Sequence, residues 1–164
     1  MNTYPAHRHP FQPILVLIAA LSGAISVGIG AMGAHSLPKQ LESRGYPDSV
    51  VQKKLDQCEL GVRYQLFHTI ALLALGLSPL AIPTTIEPAG TSPPKPMRGV
   101  KVAAFLWLLG ICCFSGGLYS MVFADQIIHW SIVPLGGMML ILGWLALAAT
   151  ALVATLRAPN RNGS

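Results

Sequence analysis

This 164-residue chain is short of charge. Only 10% of its residues are Asp, Glu, Lys or Arg, whereas about a quarter of a soluble domain is charged. So few charges cannot clothe a water-exposed surface, and an ordinary soluble fold is excluded. Cysteine is sparser still. Cys58, Cys112 and Cys113 form an odd set without C-x-x-C spacing, which provides neither a disulfide framework nor a zinc signature. All three read as structural. The fingerprints of common chemistry are missing as well: there is no G-x-S-x-G, H-E-x-x-H, P-loop or dinucleotide motif. Gly30, Gly33 and Ala34 imitate a glycine-rich loop, but no strand precedes them, so no phosphate cradle is expected.

What remains is apolar. The hydrophobic fraction is 52% and the mean hydropathy +0.55. The few charges cluster and leave four long runs without any, each near the roughly 20 residues that cross a hydrocarbon core. The expected class is an all-α integral membrane four-helix bundle, with the bilayer as its first partner. The net charge of +5 sits in tails and loops. Membrane topology and anionic lipid account for it, and no nucleic-acid partner is expected.

The basic tail 1–13 carries His7, Arg8 and His9. Residues 14–34 form the first expected span. A signal peptide is the rival reading, because Ala31-Met32-Gly33 loosely resembles a cleavage site; the apolar region exceeds the usual 7–15 residues, so the run reads as an uncleaved helix. Ser22, Ser26, Gly30 and Ala34 recur every fourth residue, with Ala24 and Gly28 on a neighbouring row. Small residues at this spacing let membrane helices approach closely. The loop that follows contains an expected amphipathic helix over 49–63. Ser49 to Gln52 fits a capping box, and Val51, Leu55, Cys58 and Val62 recur at helical spacing. Gly61 offers a bend before the second span, 64–82.

A linker over 83–101 holds Pro83, Pro88, Pro93, Pro94 and Pro96 and is expected to be extended. The third span, 102–124, contains Gly116 and Gly117. A hairpin over 125–131 leads to the fourth span, 132–156, with Pro134 in its first turn and Gly136, Gly137 and Gly143 behind it. Trp107 and Trp130 lie near span ends, as interfacial tryptophans do. Trp144 falls mid-span and must pack inside or face lipid. Residues 157–164 form a short tail.

Four spans put both termini on one side. At the opposite side His35 ends the first span, and Tyr64, Gln65 and His68 begin the second. Ser115 and Tyr119 lie toward the same end of the third, and Asp125 and His129 in the hairpin. Polar groups in hydrocarbon must find partners, so a polar cluster is expected there, drawn from His35, Tyr64, Gln65, His68, Ser115 and Tyr119. Ser26, Gly28, Gly30, Ala34, Gly116, Gly117, Gly136, Gly137 and Gly143 are the expected packing positions. His35 and His68 come from different elements, and no acidic residue lies within the spans, so no metal or cofactor site is expected. The Lys and Arg residues divide six (Arg8, Lys95, Arg98, Lys101, Arg157, Arg161) to five (Lys39, Arg44, Lys53, Lys54, Arg63). This leans toward cytoplasmic termini.

At the same stretches the chain resembles a known family. The residues are GAMGAHSL at 30–37, YQLFHTIALL at 64–73, FSGGLY at 114–119 and PLGGMMLILGW at 134–144. In order and approximate spacing they resemble the family labelled domain of unknown function 423, small bacterial inner-membrane proteins with eukaryotic relatives. The resemblance implies four membrane helices in a bacterial cytoplasmic membrane and no established reaction. The chain departs from the family pattern at Gly117, where serine is common, and at Val133, where threonine is common. Its proline-rich linker is also longer than usual. The functional expectation is a non-catalytic membrane component that packs against itself, as a homo-oligomer, or against a membrane partner. The alternative is a carrier or a small-molecule or lipid-binding protein that uses the cluster around His35 and His68. A membrane enzyme lacks a nucleophile or a metal set.

Overall fold

The computed structural model describes residues 11–78, 98–124 and 131–157. Among them are five α-helices and no strand: α1 (Phe11–His35), α2 (Leu37–Ser43), α3 (Asp48–Leu77), α4 (Arg98–Phe123) and α5 (Ile132–Arg157). Four of these, all but α2, are long and apolar enough to cross a membrane. The expected all-α membrane bundle is the observed fold.

Element ends follow local chemistry. α1 begins at Phe11, three residues before the expected start, because Pro13 falls in its first turn, where a missing N–H costs nothing. The segment after His35 is itself helical: Pro38 opens α2. Gly45, at φ 76°, closes it. The Gly45 N–H donates to Glu42 O at 2.9 Å and the Tyr46 N–H to Leu41 O at 3.4 Å. These are the paired bonds of a Schellman turn.

The larger difference is α3. The expected surface helix and second span are one helix of 30 residues, about 45 Å long. The capping box does not form. The helix starts one residue earlier, with Pro47 at its N-cap and Asp48 in the first turn, where a carboxylate complements the helix dipole. Gln52 instead reaches Asp56 Oδ1 at 2.8 Å. α3 is continuous through Gly61. The expected linker is shorter than 83–101, since residues 98–101 form the first turn of α4. The remainder of the linker, the hairpin with Asp125, His129 and Trp130, and both tails beyond 11 and 157 lie outside the described residues.

Side-chain register shows that consecutive spans run antiparallel. Ser22 meets Thr69, Gly61 meets Ser115, and Gly117 faces Val133. α3 and α4 are the inner helices; 39% of each apolar window is buried, against 17% for α1 and 11% for α5. One core joins Leu15, Ala19, Leu72, Leu75, Val100, Ala104, Trp107 and Leu140. A second, at the His35 end, joins Leu37, Leu41, Val51, Cys58 and Val122, so that α2 folds under the bundle. Trp107 is not interfacial. It is fully buried, because α4 starts a turn early and places it in the third turn.

The outer faces are apolar. Leu17, Leu21, Phe67, Ile70, Phe105, Ile141 and Leu145 are all exposed, which suits lipid and not water. Register also sets depth. Gly61 lies against Tyr119 and Gly117 against Val133, so Glu59, Leu118 and Ile132 share one level. Arg98 on α4 lies about 30 Å away, twenty residues at 1.5 Å each, which is the thickness of a hydrocarbon core.

Candidate functional site

The polar residues of the spans form a hydrogen-bonded seam between α1, α3 and α4. Gln65, buried, sits at its centre. Its Nε2 donates to Ser22 O at 2.9 Å and to Ser22 Oγ at 3.3 Å. Its Oε1 accepts from the Tyr119 hydroxyl at 2.8 Å. A carbonyl can only accept, so these partners define which end of the amide is which. Ser22 and Thr69 hydroxyls lie 2.7 Å apart. Ser26 donates to Val62 O at 3.1 Å, and Ser115 to Gly61 O at 2.8 Å. Gly61 explains the α3–α4 approach: a Cβ there would come within 2.7 Å of the Tyr119 ring.

His68 belongs to a second group, with α5. Its Nδ1–H donates to Tyr64 O at 2.8 Å, and its Nε2 accepts from the Trp144 indole N–H at 3.1 Å. A carbonyl accepts and an indole donates, so the pair selects the neutral tautomer with its proton on Nδ1. Trp107 and Trp144 pack with ring centroids 4.6 Å apart, and Trp107 Nε1–H donates to Leu140 O at 3.2 Å. Tyr64 is partly exposed and packs on Phe114 at 4.8 Å. By the register above, His68 lies nine residues inside Glu59, about 14 Å and close to the bilayer midplane.

Of the six expected cluster residues, Gln65, Ser115 and Tyr119 lie in the seam, and Tyr64 and His68 in the second group. His35 joins neither. That residue is exposed at the end of α1. Gly33 lies over Cys58 while Ser22 meets Thr69, which puts His35 about 20 Å along the bundle from His68. Ser22, Thr69 and Trp144 complete the two groups and were not among the expected members. For Ser22 the signal was present, since its row is the one that faces α3.

The small residues divide likewise. Ser26 is buried, and Gly30 stands 3.4 Å from Val62 by its Cβ direction. Gly136 abuts the main chain of Cys113 and Phe114, Gly143 the Trp107 indole, and Gly137 the Phe114 ring at 3.6 Å. Gly28 and Gly116 have nothing within 4 Å, and Ala34 is exposed. Gly76, against Val16 at 2.8 Å, and Gly110, against Leu140, are further close approaches.

Lys54 is a buried cation against the end of α4. Its Nζ donates to Met121 O at 2.8 Å and Val122 O at 3.4 Å, where the last carbonyls of α4 lack helical partners. It also lies 5.3 Å from the Tyr46 ring centroid. Outside the seam, a groove of about 660 Å³ runs along the outer face of α3. Arg63, Tyr64, Phe67, Ala71 and Ala74 line it, with Trp144 as its far wall. Among the described residues no three His, Cys, Asp or Glu side chains are grouped to hold a metal.

Comparison with known proteins places this architecture. The family described as "Protein of unknown function (DUF423)" matches residues 29–137. The chain belongs to the DUF423 family. It is 36% identical over 132 residues to a UPF0382 membrane protein of Haemophilus influenzae, covering 80% of this chain and 87% of that one. It is 31% identical over 144 residues to one from Staphylococcus epidermidis, covering 88% and 96%. It is 27% identical over 135 residues to the UPF0382 inner membrane protein YgdD of Escherichia coli K12, covering 79% and 82%. No solved structure matches. This DUF423 chain is thus a multi-pass membrane protein, and its matched region contains the whole of α2 and α3 and the seam from Val62 to Tyr119.

Proposed function

We propose that this DUF423 protein is a non-catalytic component of the bacterial cytoplasmic membrane, acting by binding at its lipid-facing surface. One observation carries the reading. The Gln65 amide is held at both ends, by Ser22 and by Tyr119. Ser115, Thr69 and His68 are likewise occupied by neighbouring helices or by their own backbone. Such contacts are ordinary membrane glue, worth about 0.6 kcal/mol each on average, and among the described residues they pair no nucleophile with a base. The surface available for recognition is the outer face, toward a second copy, a membrane partner or lipid.

Four spans and the six-to-five division of basic residues favour termini on one side, the cytoplasm. Reporter fusions at both ends are expected to report that side; opposite sides would contradict four spans. The binding reading is tested by purifying the protein from cross-linked membranes and identifying proteins and lipids by mass spectrometry. A partner, copy or lipid at fixed stoichiometry supports it. A small molecule chemically altered in a Tyr119- or His68-dependent way contradicts it.

A further inference from the structure

The groove on α3 has a charge and a depth that point to an occupant. Its lining follows one helical face, from Leu60 through Arg63, Phe67 and Ile70 to Ala74. From Leu60 to Ala74 is fourteen residues, about 21 Å. This is about two thirds of a hydrocarbon core roughly 30 Å thick. The groove therefore starts near one interface and ends past the midplane, and it does not run the full span. Arg63, four residues inside the Glu59 level, is the cation at its shallow end; its guanidinium pairs with Glu59 and can carry its charge toward the headgroups. Below it the walls are Phe67, Ile70, Ala71 and Ala74, with the His68–Trp144 bond closing the floor from α5.

We propose that this groove holds one glycerophospholipid of the leaflet at the His35 end, with its phosphate on Arg63 and an acyl chain along Phe67, Ile70 and Ala74. The proposal rests on the reading of the protein as a surface-binding component and names what it binds. A guanidinium has five donors in a planar fork suited to phosphate, and one carboxylate neighbour leaves several of them for a ligand. Small Ala71 and Ala74 leave the width a chain needs. A helix seated in the same groove would bury the Arg63–Glu59 pair away from water, at a cost in desolvation. A lipid leaves the pair among headgroups.

The test is native mass spectrometry of the full chain in detergent, titrated with phosphatidylglycerol and with a diacylglycerol of identical chains. The wild-type protein is expected to bind one phosphatidylglycerol at least tenfold more tightly than the diacylglycerol. Ala74→Trp, which fills the groove from an exposed position, should weaken phosphatidylglycerol at least tenfold, whereas Leu17→Trp on the far face of α1 should not. Arg63→Gln should abolish the preference and leave diacylglycerol binding unchanged. Chain-brominated phosphatidylglycerol adds a measurement on the wild-type groove: quenching that saturates at one lipid per chain and falls in Trp144→Phe. Equal affinity for the two lipids, unchanged binding by folded Ala74→Trp, or quenching without saturation would overturn the proposal. So would a wild-type dimer that Ala74→Trp dissociates, since a second copy would then occupy the groove. Any of these results leaves the non-catalytic reading to its own test on cross-linked membranes.

Discussion

Two glycines with opposite surroundings give a prediction whose sign depends on packing alone. Gly136 of α5 is buried, and a Cβ built on it lies 2.9 Å from the Cys113 carbonyl carbon and closer still to the Phe114 amide nitrogen. Gly28 of α1 has nothing within 4 Å. Replacing glycine by alanine inside a helix is worth about 0.5–1 kcal/mol in favour of the helix. At Gly28 nothing opposes this gain, so Gly28→Ala should be neutral or stabilising. At Gly136 the obstacle is main chain, which cannot turn to another rotamer. α4 and α5 must separate, and overpacking of this kind costs about 1–3 kcal/mol. The net expectation for Gly136→Ala is a loss of about 1–2 kcal/mol after the helical gain is subtracted. Equilibrium unfolding of both variants in mixed detergent measures the difference. Equal shifts, or stabilisation by Gly136→Ala, would refute the close α4–α5 approach.

Two further outcomes follow from the seam and its ends. His35→Ala and His68→Ala should be additive in stability, with only the latter costly, because groups about 20 Å apart without shared partners rarely couple; coupling in unfolding experiments would mean that His35 reaches the cluster after all. Lys54→Met keeps the stem of the side chain but removes its donors from Met121 O and Val122 O. It should cost about 1–3 kcal/mol and speed hydrogen exchange at the end of α4, whereas unchanged exchange there would deny the capping role.

Much of the architecture was legible because charge-free runs of membrane length have few alternatives. Where reading failed, two physical outcomes shared one pattern. Ser22, Ser26 and Gly30 were distinguishable from Ala24 and Gly28 only as rows, since either row of small residues can meet a neighbour; tertiary packing turned the first toward α3 and left Gly28 outside. Gly61 resembled a hinge, yet its missing side chain makes room for the Tyr119 ring within an unbroken helix. The boundary between loop helix and second span was invisible because none exists. The charges of α3 follow its solvent and headgroup length, and its hydrogen-bonded ladder continues through them. Gln65 and Tyr119 were identifiable as polar groups needing partners, but their mutual bond depends on the α3–α4 register, which no local signal encodes. His35 shared a membrane side with His68 and not a depth. Depth came only from the pairing of Ser22 with Thr69 and Gly33 with Cys58.

The seam stands or falls on the bond between Gln65 and Tyr119, 2.8 Å across α3 and α4. A double-mutant cycle with Gln65→Ala, Tyr119→Phe and the double variant measures it directly. The expected coupling is about 0.6 kcal/mol and at most roughly 1.7, the range of polar contacts inside membranes, with the double variant less costly than the sum of the singles. Strict additivity in a correctly folded protein would contradict the seam and return both side chains to service as a candidate binding site.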